Sequence, residues 1–206
     1  MKIEVEVRGK IKDFEGTLKS FYEKAEFIEE KDRISFIYFR AGSDGEDVNN
    51  VREDPVDLKL RVTNKQAEIV MKYGRWGAEE SRKEFLFPIE LEKFESALEF
   101  FKCLDWSKGV LMDTKTYLFN YNGVEFALVK SGDISYFEAE ILVKTQNEVS
   151  DAIEKIKKVC FDVGLEIFEE KDFIDMMNRL NKRENRIFDM RKDNFENIKN
   201  KFREFF

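Results

Sequence analysis

Histidine is missing from all 206 residues of this chain. Its absence removes the commonest general base and the commonest transition-metal ligand. Any catalysis must rest on Glu, Asp, Lys, Arg, Tyr, Ser or Cys, or on a hard metal held by oxygen ligands. Cysteine is nearly as scarce, with Cys103 and Cys160 as the two examples. Each stands in an apolar, helix-like stretch, "EFFKCL" and "IKKVCF", which predicts two buried, reduced thiols rather than a disulfide. The prolines are Pro55 and Pro88. No apolar run approaches a membrane span, and none at the N-terminus reads as a signal peptide. Internal repeats and low-complexity linkers are also lacking. These absences predict a soluble, cytoplasmic protein with no membrane partner.

What remains is ample for a core. Hydrophobic residues make up 42% of the chain and 21 of them are Phe, which excludes wholesale disorder despite 38% charged residues. The length suits one domain, or one domain with an appendage. Lys and Arg number 36 against 43 Asp and Glu, a net charge of −7. That balance argues against general nucleic-acid binding, yet leaves room for a local basic pocket.

Strand-like stretches fall at residues 2–10, 34–40, 57–63, 67–73, 82–87, 112–121, 124–130 and 135–143. Helix-like stretches fall at about 14–30, 90–104, 146–163, 171–184 and 190–205. "NYNGVEF" carries an Asn-Gly hairpin signal and "VTNKQAE" a second turn. Residues 41–55, "AGSDGEDVNNVREDP", read as a long loop. Asp13 is a candidate cap for the first helix, Thr145 or Asn147 for the third, and Gly164 a candidate stop. Hairpin-length connections predict an antiparallel sheet, and eight such strands can close into a barrel that removes their edges.

The strands alternate apolar and charged residues. "IEVEVRGKI" sets Glu4, Glu6 and Arg8 on one side, with Ile3, Val5 and Val7 on the other. "DLKLRV" offers Asp57, Lys59 and Arg61. Later strands offer Glu68 and Lys72, Arg82 and Glu84, Lys115, and finally Glu138 and Glu140. An ordinary solvated face with cross-strand ion pairs is one reading. The other is convergence inside a closed sheet, where buried charges of both signs need a ligand to complete their pairing. A polyphosphate with a divalent cation would do so: basic groups grip phosphate and carboxylates hold Mg2+ or Mn2+.

The order of the motifs is informative. Glu4-Val5-Glu6-Val7-Arg8 comes first, then Tyr38-Phe39, then Leu58-Lys59-Leu60-Arg61. Lys72 follows on its strand, then Ser81-Arg82-Lys83-Glu84, then Phe137-Glu138-Ala139-Glu140, and late in the chain "KDFIDMM". In this order they resemble the CYTH family of triphosphate tunnel metalloenzymes, which groups class IV adenylate cyclases with thiamine triphosphatases and inorganic triphosphatases. The resemblance covers residues 1 to about 180. It implies an α+β fold: an eight-stranded antiparallel β-barrel, the triphosphate tunnel, with flanking helices. It also implies metal-binding and catalytic roles for Glu4, Glu6, Glu138 and Glu140, with Mg2+ or Mn2+ as cofactor. Arg8, Lys59, Arg61, Lys72, Arg82 and Lys115 are implied as phosphate ligands. The expected domain runs over 1–184, with 185–206 as a helical extension packed on it.

The chain departs from the family pattern in places. Arg8 stands where the family has Lys, and Lys59 where it has Arg, both of which change donor geometry. Val129 falls at about the position of an expected Asp, with Glu125 and Asp133 as nearby substitutes. Lys115 matches a basic strand only loosely. Three functions are therefore expected in turn: hydrolysis of a triphosphate, binding of a polyphosphate or nucleotide without turnover, and cyclisation of ATP. The expected partner is a small-molecule triphosphate or polyphosphate, and the chain is expected to act as a monomer or a homodimer.

Overall fold

The structure is a computed structural model that describes residues 3–39, 56–74, 77–181 and 186–206. Ten strands and five α-helices occur among these residues. In chain order they are β1 (Ile3–Lys10), α1 (Phe14–Lys24), β2 (Glu26–Tyr38), β3 (Val56–Thr63), β4 (Gln66–Tyr73) and β5 (Glu79–Ile89). Next come α2 (Phe94–Cys103), β6 (Lys108–Tyr121), β7 (Val124–Ser131), β8 (Ile134–Val143) and α3 (Val149–Asp162). The chain ends with β9 (Glu166–Ile167), α4 (Glu170–Asn181), β10 (Ile187–Asp189) and α5 (Phe195–Lys201).

The hydrogen-bonded order is β10-β6-β2-β3-β4-β5-β1-β8-β7, and β6 also pairs with β7. Strands β1 to β8 thus form a closed, antiparallel, eight-stranded barrel with flanking helices, the α+β architecture expected. Local chemistry sets its turns. Asn64 and Lys65 (φ 48° and 65°) join β3 to β4, and Asn122 and Gly123 (φ 53° and 71°) join β6 to β7. Paired positive φ values give the turn whose twist matches antiparallel strands. Asp13 caps α1 by accepting from the Gly16 amide at 3.1 Å. Thr145 and Glu148 form a capping box ahead of α3, and Gly164 (φ 75°) follows that helix.

Two compact units emerge, each woven from three stretches. The first comprises Met1–Lys31, Gly74–Glu84 and Thr114–Met176. Its core joins Val5 and Val7 of β1 to Phe126 and Leu128 of β7, Phe137 and Ala139 of β8, and Ile156 and Cys160 of α3. Phe14 and Phe21 of α1 complete it. The second comprises Asp32–Tyr73, Phe85–Asp113 and Met177–Phe206. Its core joins Ile34 and Phe36 of β2 to Leu58, Leu60 and Val62 of β3, Phe94 and Leu98 of α2, and Phe195, Ile198 and Phe202 of the C-terminal segment.

Several expected boundaries move. The first helix stops at Lys24, and β2 begins two residues later. The stretch 190–205 is not one helix: β10 and a turn precede a shorter α5. Cys160 is buried, but Cys103 is exposed at the last position of α2, so only one of the two expected buried thiols is buried. The expected loop at 41–55 lies outside the described residues. No helix among the described residues is long and apolar enough to cross a membrane.

Candidate functional site

β1 is buried on both faces. Its odd-numbered valines enter the first core, while Glu4 (6% exposed), Glu6 (1%) and Arg8 (6%) are buried on the opposite face. The flanking strands supply the neighbours. Glu6 stands opposite Glu80 on β5 and opposite Glu140 on β8. Glu140 in turn stands opposite Glu125 on β7, and Glu125 opposite Asn120 on β6. One cross-strand row therefore reads Glu80, Glu6, Glu140, Glu125, Asn120. In the adjoining positions Glu4 faces Arg82, and Arg8 faces Glu138.

Within this face Glu4, Glu6 and Glu140 each bring a carboxylate oxygen within 4.8 Å of the others. Glu138 is not in that group; it accepts from Arg8 Nε at 3.3 Å. Two guanidiniums, Arg8 and Arg82, stand among the carboxylates of Glu4, Glu6, Glu80, Glu138 and Glu140. A carboxylate trio this close can hold a cation. The donors are all oxygens, which suits Mg2+ or Mn2+.

Arg8 is fully engaged. Its Nη2 lies 2.6 Å from Glu6 and donates to Glu80 at 2.9 Å. Its Nη1 donates to the Gly77 carbonyl at 2.9 Å and lies 2.9 Å from the second Glu80 oxygen. With the bond to Glu138 this makes five polar contacts, matching the five N–H donors of a guanidinium. The Phe173 ring lies 5.4 Å from the guanidinium carbon. Burial opposes the charge of Arg8, but Glu6, Glu80 and Glu138 outweigh it and hold the group well above its usual range.

Arg82 is 2% exposed and donates to Glu80 through Nε at 2.9 Å and Nη2 at 2.5 Å. Glu80 thus ties the two arginines together. It was missed in the sequence because the strand was read from residue 82, whereas β5 starts at Glu79. Two steps back from Arg82 on the same face would have found it.

Val129 is buried on β7 opposite Thr116 and Tyr136, so no carboxylate occupies that position. Of the two suggested substitutes, Glu125 lies on the acidic row, while Asp133 lies in the exposed turn before β8. Lys115 is on the other side of β6, with Tyr117 and Phe119. It pairs with Glu30 at 2.5 Å and is about half exposed, so it does not join this face.

Lys59, Arg61 and Lys72 belong to the second unit. They stand on the face of β3 and β4 opposite Leu58, Leu60 and Val62. Arg61 donates to Glu68 at 2.6 Å, Lys59 lies 3.1 Å from Asp57, and the buried Lys72 is opposite Asp57.

No family model and no curated protein matches the sequence. Solved structures do. A Pyrococcus horikoshii OT3 protein superposes with a TM-score of 0.66 at 19% identity, over 84% of this chain and 98% of its own. A candidate adenylate cyclase from Vibrio parahaemolyticus matches with a TM-score of 0.61 at 15% identity, over 82% of this chain and 96% of its own. A candidate adenylyl cyclase from Hippeastrum, described as having a dominant triphosphatase activity, matches at 0.53 and 12% identity, over 81% and 90%. The chain shares its fold with these structures.

Proposed function

We propose that this chain is a Mg2+- or Mn2+-dependent hydrolase of a triphosphate-bearing small molecule. The observation that carries the reading is the close cluster of the Glu4, Glu6 and Glu140 carboxylates, beside Arg82 in a barrel of this fold. These three carboxylates would hold the cation, with Glu138 beside them. Once bound, the cation would neutralise phosphate oxygens and draw charge from the scissile phosphoryl group. Arg82, fixed by Glu80, offers a preorganised positive charge next to Glu4. Lys59, Arg61 and Lys72 are proposed as further phosphate ligands on the strength of the motif resemblance. A cytoplasmic location goes with this reading, supported by two free cysteines.

A phosphate-release screen tests the proposal, using tripolyphosphate, thiamine triphosphate and ATP with each divalent metal. Release that is lost in both Glu4→Gln and Glu140→Gln is expected. No release from any substrate refutes the proposal. The buried Val129 favours a second reading, binding without turnover. Calorimetric binding of tripolyphosphate without phosphate release would establish it. With ATP, cyclic AMP plus pyrophosphate would instead indicate cyclase chemistry.

A further inference from the structure

We infer that Glu80 is a positioning residue of this site, which aims Arg82 and locks Arg8 in place as a brace. The inference rests on the proposed phosphate chemistry and concerns a residue outside the quoted motifs. Glu80 is 5% exposed and uses both oxygens. One accepts from Arg82 Nε and Nη2 and from Arg8 Nη2, at 2.9, 2.5 and 2.9 Å. The other lies 2.9 Å from Arg8 Nη1 and accepts from the Gly77 amide at 3.4 Å.

Two contacts from one guanidinium edge to a single Glu80 oxygen fix the direction of Arg82 as well as its distance. A lone carboxylate–ammonium contact would fix only distance. The same logic explains Arg8. A lysine has one nitrogen and three donors, and could not serve Glu6, Glu80, Glu138 and the Gly77 carbonyl together. Arginine at position 8 and glutamate at position 80 are thus a matched pair. Arg8 spends its donors on protein and keeps Glu6 and Glu80 from repelling each other across β1 and β5. Arg82 is the guanidinium proposed to meet a phosphate, and Glu80 holds its Nε and Nη2. An ångström of misplacement in such a group can cost about a hundredfold in rate.

The test compares wild type with Glu80→Gln and Glu80→Asp, well below their melting temperatures. Glu80→Gln removes the charge; Glu80→Asp keeps it but withdraws the anchor by one methylene. Side-chain nitrogen NMR follows the Nε–H signals of Arg8 and Arg82, assigned with Arg8→Lys and Arg82→Lys. We expect both signals to shift or broaden in Glu80→Gln, and kcat/KM for tripolyphosphate to fall at least about tenfold in both variants. In Glu80→Asp the loss should appear while the melting temperature stays near that of wild type, which a merely structural role would not give. Unchanged Nε–H signals, or kcat/KM within threefold of wild type, would overturn the inference while leaving the hydrolase reading intact. If wild type binds tripolyphosphate but does not turn it over, the dissociation constant replaces kcat/KM: a tenfold weakening supports the role and an unchanged value overturns it. If wild type neither binds nor hydrolyses tripolyphosphate, the proposed function falls and the inference falls with it.

Discussion

Replacing Arg8 with Met would remove one buried cation and leave its acidic neighbours in place. Glu6 and Glu80 are directly opposed on β1 and β5, and their side chains are 1% and 2% exposed. In wild type the guanidinium contacts both, together with Glu138. Without it, Glu6, Glu80 and Glu138 each lose that contact. Removing one partner from a buried pair typically costs about 3–5 kcal/mol, because the remaining charge is stranded. For a chain of this size each kcal/mol moves the melting temperature by about 2–4 °C, so a drop of about 6–20 °C follows. Thermal unfolding followed by circular dichroism, with EDTA present, measures it. Saturating Mg2+ should then recover part of the loss. A ligand at one hundred times its dissociation constant adds about 2.7 kcal/mol. The gain on adding metal should be larger in Arg8→Met than in wild type, because the variant face has lost one positive charge. A variant that melts within about 2 °C of wild type would refute the reasoning, since that is below the shift of a single kcal/mol. So would a metal effect smaller than that of wild type.

Further outcomes follow from single features. Burial pushes the Cys160 thiol up to about 12, whereas Cys103 is exposed. A thiol reagent at neutral pH should therefore titrate one group in the native protein and two after unfolding. Gly9→Ala would set a methyl 2.0 Å from the Glu166 carbonyl and 2.3 Å from the Phe137 ring. Overpacking of this kind costs about 1–3 kcal/mol, so the melting temperature should fall. Thr145→Ala removes the capping hydroxyl of the box before α3, at about 1 kcal/mol and a measurable drop in melting temperature. Amide hydrogen bonds from Thr145 and Lys144 lower the pKa of Glu148. A lowered carboxyl contributes stability above its unfolded value and loses it as pH falls through the folded value. The deficit of Glu148→Ala in pH-scanned melts should thus be present at neutral pH and vanish in acid.

Strand polarity was the most legible feature of this sequence. Alternation at Glu4, Glu6 and Arg8, and again at Lys59 and Arg61, gave the correct opposition of charged and apolar faces. Turn chemistry at Asn122-Gly123 was equally readable. The start of β2 was not. "EFIEEKD" is rich in residues with good helix propensity and continues the pattern of α1, but the sheet claims it as an exposed strand end. Lys115 misled for a simpler reason: alternation shows which residues share a face, not which face meets the site. Glu80 escaped because it lies at the frayed edge of a predicted strand. The segment 185–206 reads as a helical extension, yet a strand, a turn and a short helix bury its aromatics.

The two cores have different last members along the chain. The first is complete once Ile167 and the neighbouring stretch to Met176 have been made. The second still awaits Phe188, Met190, Phe195, Ile198 and Phe202. During synthesis the carboxylate-rich strands β1, β5 and β8 can settle against their own core while the other remains open. Domains generally fold in the order in which they emerge from the ribosome. A nascent chain stalled just after Met176 would then carry an assembled acidic face and an unfinished aromatic core. Its exposed Phe36, Phe94 and Leu98 would be ready targets for a chaperone.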